Sequence, residues 1–207
     1  MKKIIAIVFI AIALIGCAKK ETPETVFEKT VGNWVNTSEE FDMHNVSYKI
    51  VKVRVDTLFN YPWNDVKIMT LADSLYIADW TYKFSKHYYE FYRGFGLTDS
   101  ANEEKREMDE ALYTCLDIFD EIKEREKNYD GKFIGWLIKY GYTITDNGKE
   151  EYQTAIFHVN KNFTEIIGGR WGCESVVDDY NESIGRAKTI ISNTEYNELI
   201  FPENFQH

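Results

Sequence analysis

The sequence predicts an α+β fold in which helices pack on one face of an antiparallel sheet that ends in a three-stranded meander. One observation is an apolar stripe at helical spacing through residues 100–128, with charged side chains on the opposite face. A second is the Asn147-Gly148 pair between two strand-type runs, 133–145 and 150–159, which is the strongest short signal for a hairpin. Phe163 to Ile167 follows a further turn and supplies the third strand of the meander.

The chain begins with a segment that is typical of an export signal. Met1-Lys2-Lys3 is basic, and an unbroken apolar run follows from Ile4 to Ile15. As a helix this run would extend about 18 Å, against a hydrocarbon core of about 30 Å, so it is too short for a stable transmembrane helix. Leu14-Ile15-Gly16-Cys17 then resembles the lipobox of bacterial lipoproteins. The alternative is an ordinary secretory signal followed by an unrelated cysteine.

The lipobox resemblance implies that residues 1–16 are cleaved and that Cys17 carries the lipid as the new N-terminus. Two or more acyl chains hold a protein stably on a bilayer. Residues 17–23 would then be a short polar tether, and Ala18, where aspartate would favour inner-membrane retention, indicates the outer membrane, at its periplasmic face or at the cell surface. Residues 24–207 are predicted to form a single domain that ends in a peripheral C-terminal tail.

The first elements of this domain follow from local patterns. A capping box at Thr25–Glu28 begins a short amphipathic helix near 24–35. A strand is predicted over 46–56, where the apolar alternation slips between Ile50 and Val51. The strand therefore either contains a bulge or is buried on both faces.

Two helices are predicted between that strand and the meander. Asp73-Ser74 is expected to cap the first, which ends before a pair of glycines. Ser100–Glu103 forms a second capping box in front of the helix at 100–128. A short helix is also predicted within 174–190.

Charge and composition exclude some classes of function. The chain carries a net charge of −10, which becomes −12 when Lys2 and Lys3 leave with the signal. Nucleic acid is therefore excluded as a partner, because its recognition requires clustered basic side chains. The chain has 13 Phe, 14 Tyr and 5 Trp but only 3 Pro, which is typical of a packed globular domain.

Two cysteines remain once Cys17 is assigned to the lipid. Cys115 and Cys173 are candidates for a disulfide, since compartments outside the inner membrane permit one. Two separate buried thiols are the alternative.

The sequence contains no motif for catalysis, for a metal or for a cofactor, and we expect none of the three. None of the histidines has the spacing of a paired metal site; they are His44, His87, His158 and His207. His158 lies in a strand and is expected to be packed and hydrogen-bonded. Asp178, Asp179 and Glu182 form an acidic cluster that could do acid–base chemistry or hold calcium, but a solvated loop is the favoured interpretation.

Aromatic side chains crowd the segment 82–95. They go nearly all round a helix, so not all of them can face one core. Either some leave an exposed surface for a ligand or partner, or neighbouring elements bury the helix on several sides. Burial is the favoured interpretation. The candidate ligand surface consists of Trp63, Tyr88, Tyr92 and Trp171.

Three short motifs resemble the Asp-Ser/Thr-apolar signal for O-glycosylation in Bacteroidota. They make Thr57, Ser74 and Ser100 candidate glycan acceptors. For the two serines, a role as helix caps is the alternative.

The meander also resembles the C-terminal hairpin region of uncharacterised lipoproteins from Bacteroidota. The similarity lies in Phe133-Ile134-Gly135-Trp136, in Tyr140-Gly141-Tyr142, and in the stretch from Phe157 to Ile166. Val51-Lys52-Val53 and Asp73-Ser74-Leu75 are similar too. Helices laid on such a sheet are also the plan of cystatin-like and NTF2-like folds, a likeness that carries no function.

These observations favour a non-enzymatic binding or interaction protein that is tethered at the outer membrane, with an unknown protein or glycan as its partner. One alternative is an NTF2-like domain that binds or weakly transforms a small molecule, with His158 or His87 as the base. Another is a glycan-binding accessory protein that uses Trp63 and Trp171. A deep cavity with a buried histidine and carboxylate would favour the NTF2-like alternative. An exposed row of Trp and Tyr would favour the glycan-binding alternative.

Overall fold

The computed structural model describes residues 47–146, 148–173, 175–196 and 199. Four antiparallel strands lie side by side in chain order: β1 (Ser47–Phe59), β2 (Phe133–Asp146), β3 (Lys149–Asn160) and β4 (Ile166–Cys173). Three long helices complete the described part: α1 (Val66–Gly94), α2 (Thr98–Glu126) and α3 (Val176–Ser192). The signal segment, Cys17, the tether and the predicted helix at 24–35 lie outside the described residues.

The sheet confirms two local predictions. Asp146 pairs with Lys149 across the hairpin, and Gly148 has a φ of 77°, a conformation that glycine adopts without strain. The pairing of β1 with β2 shifts between Ile50 and Lys52, so the slip in the apolar alternation marks a β-bulge.

The strand predicted at 163–167 is placed differently. β4 begins at Ile166 and continues through both Gly168 and Gly169, which had been expected to end it. A Cβ atom on Gly169 would lie 2.3 Å from the carbonyl oxygen of Ile156, so glycine permits close approach to β3 there. Phe163 instead lies in the preceding turn with a φ of 59°.

The N-cap residue of the first long helix lies eight residues before the predicted one, Asp73. Asp65 is the N-cap residue, and its carboxylate accepts a hydrogen bond of 3.0 Å from the backbone N–H of Ile68. Asp73 and Ser74 therefore lie inside α1, where the Ser74 hydroxyl donates to the carbonyl oxygen of Thr70. The prediction that they cap the helix is wrong.

The prediction that Ser100–Glu103 is a capping box for the second helix is also wrong. α2 begins at Thr98 after Leu97, whose side chain makes no capping bond, and Ser100 lies within the first turn. The chain reverses directly from α1 through Gly96, at a φ of 73°, so tertiary pairing of the two helices fixes the start of α2. The predicted helix in 174–190 is confirmed by α3.

The helices pack on one face of the sheet, which confirms the predicted fold class. Ile156 of β3 lies in a buried cluster with Met69, Val176 and Tyr180. A larger buried cluster joins the helices to one another; its members include Ile68, Leu75, Cys115, Phe119, Ile122 and Ile190.

Part of the C-terminal tail belongs to the core, so its prediction as peripheral is wrong for the residues described there. Leu199 is 1% exposed and lies in the larger helical cluster, and Tyr196 packs against the same cluster. The Tyr196 hydroxyl donates to Asp79 Oδ1 at 2.7 Å, and Lys83 Nζ donates to the carbonyl oxygen of Leu199 at 2.8 Å. These contacts fasten the tail to α1.

Cys115 is a free, fully buried cysteine, so the structure does not contain the predicted bridge to Cys173. The Cys115 thiol lies in the helical core beside the Tyr196 hydroxyl, and burial raises its pKa. The side chain of Cys173 lies outside the described part. None of the helices in that part is both long and apolar enough to span a bilayer.

Candidate functional site

A pocket of about 230 Å³ opens where α1 begins, between the helix and the sheet. Its polar lining comes from Asn60, Asn64, Asp65, Lys67, Tyr129 and His158. We call it the His158 pocket. β1 ends at Phe59, and the single 3-10 turn at Pro62–Asn64 then turns the chain so that Asp65 caps the helix at the pocket edge.

His158 lies deep in this pocket and is only 4% exposed. Its Nε2 atom lies 2.6 Å from the hydroxyl oxygen of Tyr180 on α3. Burial lowers the pKa of His158 to about 4, although the nearby charge of Asp65 acts in the opposite direction. The ring is therefore neutral near pH 7. The expectation that His158 is packed and hydrogen-bonded is confirmed.

Asp65 connects the helix terminus to the pocket. Besides capping α1, its carboxylate is hydrogen-bonded to the Tyr129 hydroxyl. Burial, and then this bond to Asp65, raise the pKa of Tyr129. Both groups are thereby held in place, with Asp65 as a carboxylate and Tyr129 as a neutral phenol.

A second polar cluster, the Asp73 cluster, joins α1, β4 and α3. Arg170 Nη2 lies 2.9 Å from Asp73 Oδ2, and Arg186 Nη1 lies 3.0 Å from Asp73 Oδ1. The Ser183 hydroxyl lies 2.8 Å from Asp73 and accepts a hydrogen bond from Arg170, and Glu182 pairs with Arg186 at 2.9 Å. Since every charged group here faces an opposite charge inside the protein, the cluster is structural.

The predicted acidic cluster does not form a loop. Asp178, Asp179 and Glu182 lie in the first two turns of α3, where Ser175 donates to Asp179. Carboxylates near a helix N-terminus interact favourably with the helix dipole. Among the residues that the structure describes, no group of three or more His, Cys, Asp or Glu side chains is placed to hold a metal ion.

The outward face of α1 and its C-cap residue carry six aromatic side chains, which we call the aromatic row. They are Trp80, Phe84, Tyr88, Phe91, Tyr92 and Phe95. Neighbouring rings lie 4.6–6.0 Å apart by their centroids, and Trp80 stacks on Phe84 with 21° between the ring planes. Trp80 is 57% exposed and Phe95 is 71% exposed. Neighbouring elements therefore do not bury this face, contrary to the favoured interpretation.

The other predicted surface residues are scattered. Trp63 is half-buried, because its ring stacks on Tyr61 at 4.8 Å and packs against the helical core. Tyr88 and Tyr92 are half-buried members of the aromatic row. The side chain of Trp171 lies outside the described part, and His87 is exposed on α1.

The candidate glycan acceptors occupy different settings. Thr57 is exposed on β1, Ser74 is exposed within α1, and Ser100 is partly buried in the first turn of α2. Glycosylation at these positions stays a prediction.

Three residues at or next to the pocket were missed by the sequence reasoning. Asp65 could have been found, because it precedes the buried helical positions Ile68, Met69 and Leu71. Tyr129 and Tyr180 gave no local signal, since only the packing of distant segments brings them to Asp65 and His158.

Comparison with protein-family models, with curated proteins and with solved structures found no match for this chain. Its function is therefore argued from the described geometry.

Proposed function

We propose that this chain is a lipid-anchored protein of the bacterial cell envelope, with its anchor on Cys17 at the outer membrane, and that it is a non-enzymatic binding module. The single observation that carries the binding role is the aromatic row. Four of its rings are exposed to roughly half their area or more, which leaves on the order of 400 Å² of apolar surface in water. Exposed patches of this size are often functional.

A protein partner fits the aromatic row better than a glycan does. A sugar binds an aromatic residue through the open face of its ring, whereas the rings of Trp80 and Phe84 stack on each other. The row extends about 22 Å along the helix, which matches a helix or strand of a partner. Lys86 and Arg93 lie in the segment 80–95 against one acidic residue, while Lys83 there is paired with Asp79 at 2.7 Å, in a chain of net charge −10. The partner is therefore expected to present an apolar strip with acidic margins.

Site-specific photo-cross-linking in intact cells tests the binding role. A benzoyl-phenylalanine at Phe84 or Phe95 is expected to give a discrete cross-linked adduct, which Phe91→Glu should weaken by placing a charge in the contact. Tyr113, 69% exposed on α2, is the matched control and is expected to give no such adduct. The same adduct from Tyr113, or none from the aromatic row, would contradict the proposal.

The anchor is tested separately. Cys17→Ser is expected to abolish incorporation of labelled palmitate and to release the protein from the membrane fraction, because no sulfur remains to accept the diacylglycerol. Cys115→Ser is the control and should leave labelling unchanged, since that thiol is buried in the core. Continued labelling of Cys17→Ser would show that the lipobox assignment is wrong.

A further inference from the structure

His158, which is only 4% exposed, provides a polar group at the wall of the His158 pocket. Nε2 of His158 is engaged by Tyr180, which does not line the pocket. A Cβ atom on Gly168 would lie 3.6 Å from the other ring nitrogen, Nδ1, and 3.2 Å from Cγ2 of Val66, which lines the pocket. Among the residues that the structure describes, no hydrogen-bond partner is found for Nδ1. Because Nδ1 is not fully buried, a molecule in the pocket can reach it.

The hydrogen-bond chemistry favours one ring nitrogen as the carrier of the proton. Burial raises the pKa of Tyr180, so its hydroxyl keeps a proton that needs an acceptor. Within the described part of the chain, Nε2 is the acceptor found for it, at 2.6 Å. A neutral imidazole that accepts at Nε2 carries its own proton on Nδ1. His158 therefore offers an N–H donor to the pocket.

The remaining polar groups of the pocket include one ammonium donor, Lys67, and several acceptors. Asn60 Nδ2 donates to Asp130 Oδ1 at 2.9 Å, and Asn64 Nδ2 donates to the carbonyl oxygen of Phe59 at 2.9 Å, which leaves both amide oxygens for other partners. Asp65 adds carboxylate oxygens. Apolar contact comes from Phe59, Ile134 and Ile167. The volume of about 230 Å³ equals about eight water molecules at ~30 Å³ each.

We propose that the His158 pocket binds one small, neutral, polyhydroxylated molecule, of the size of a hexose or an inositol. Hydroxyl groups both donate and accept, so one such molecule can accept from Nδ1 of His158 while donating to the oxygens of Asp65 and Asn60. A neutral ligand matches the charge of the lining, because His158 is uncharged and the charges of Asp65 and Lys67 are opposite. An ammonium compound is disfavoured because it only donates and would leave the Nδ1 proton without an acceptor.

This site is independent of the aromatic row, because the two lie at opposite ends of α1. The test uses the full-length lipoprotein in detergent and saturation-transfer NMR with glucose, galactose, mannose and myo-inositol as probes. Phosphate, acetate and ethanolamine represent the other ligand classes. Ile167→Trp is the blocking variant, because Ile167 lines the pocket yet is 47% exposed, so a larger ring fits without disturbing the core. Ile77→Trp, at a 64% exposed position of α1 outside the pocket, is the matched control.

We expect at least one polyhydroxylated probe to bind the wild type. Its affinity should fall more than about tenfold in Ile167→Trp and should be unchanged in Ile77→Trp. The ring nitrogen signals of His158 should shift on binding while those of exposed His87 do not, a readout that needs no variant. Binding that survives Ile167→Trp, a preference for an anion or for ethanolamine, or no response of the His158 ring would overturn the proposal.

Discussion

Asp73→Ala is expected to lower the free energy of unfolding by about 2–4 kcal/mol, somewhat less than the ~3–5 kcal/mol for breaking a fully buried ion pair. The change removes the carboxylate that Arg170 and Arg186 share, at 2.9 and 3.0 Å. Their side chains are 23% and 15% exposed, so both guanidinium groups would be left partly desolvated and facing each other. Because Asp73 joins α1 to β4 and α3, the loss should weaken the whole assembly of helices on the sheet.

Urea unfolding followed by circular dichroism measures this effect. Asp109→Ala is the matched control, because that carboxylate pairs with Lys105 at 3.1 Å on the exposed face of α2. Its removal should change stability by less than about 0.5 kcal/mol. Asp73→Asn keeps the shape of the side chain, so its loss of unfolding free energy should lie between those of Asp73→Ala and Asp109→Ala. Equal losses in Asp73→Ala and Asp109→Ala would show that the cluster does not hold the elements together.

The Asp73 cluster also explains why the sequence misplaced the start of α1. Asp73-Ser74 before an apolar residue has the local pattern of a helix cap, and Asp65 has a similar one. In the structure Asp65 caps the helix, whereas Asp73 binds Arg170 and Arg186, which lie 97 and 113 residues away in sequence. A pattern read over a few residues contains no information about such partners, so tertiary contacts decided the boundary.

Features with local causes were predicted well. The Asn147-Gly148 hairpin, the bulge after Ile50 and the stripe of α2 each depend on neighbouring residues, and the structure contains all three. Of the candidate site, the sequence predicted only the histidine. His158 was recognised as a packed strand residue, but its link to Tyr180 and its place beside Asp65 arise only when α1 and α3 close over β3.

The exposure of the aromatic row also could not be predicted from local sequence. Periodicity indicates that the rings of α1 surround the helix, but it does not say which side lacks a neighbour. In the structure α2 and α3 pack along other sides of α1, so Ser85 is buried while Phe84 and Phe91 face solvent. The position of neighbouring helices is a property of the whole fold.

Stability is expected to fall as the pH decreases from about 6.5 toward 4, because of His158. Its pKa is 6.5 in the unfolded chain and about 4 in the folded protein, so protons bind preferentially to the unfolded state in this window. The contribution of His158 is complete above about pH 6.5 and is lost as the pH falls through the folded-state pKa. The difference corresponds to roughly 3 kcal/mol. Asp65 opposes the effect by favouring the protonated ring, but burial dominates.

Unfolding free energies of the wild type and of His158→Gln, measured from pH 4 to 7.5, isolate this term. Glutamine is uncharged throughout and can still accept from the Tyr180 hydroxyl, so the variant should lose little with acidity beyond what the carboxylates contribute to both proteins. The two curves should therefore converge as the pH falls. His87→Gln removes an exposed histidine and should follow the wild-type curve. Parallel curves for the wild type and His158→Gln would mean that burial does not lower the pKa of the ring, and the pocket would then contain a charged His158 below about pH 6.5.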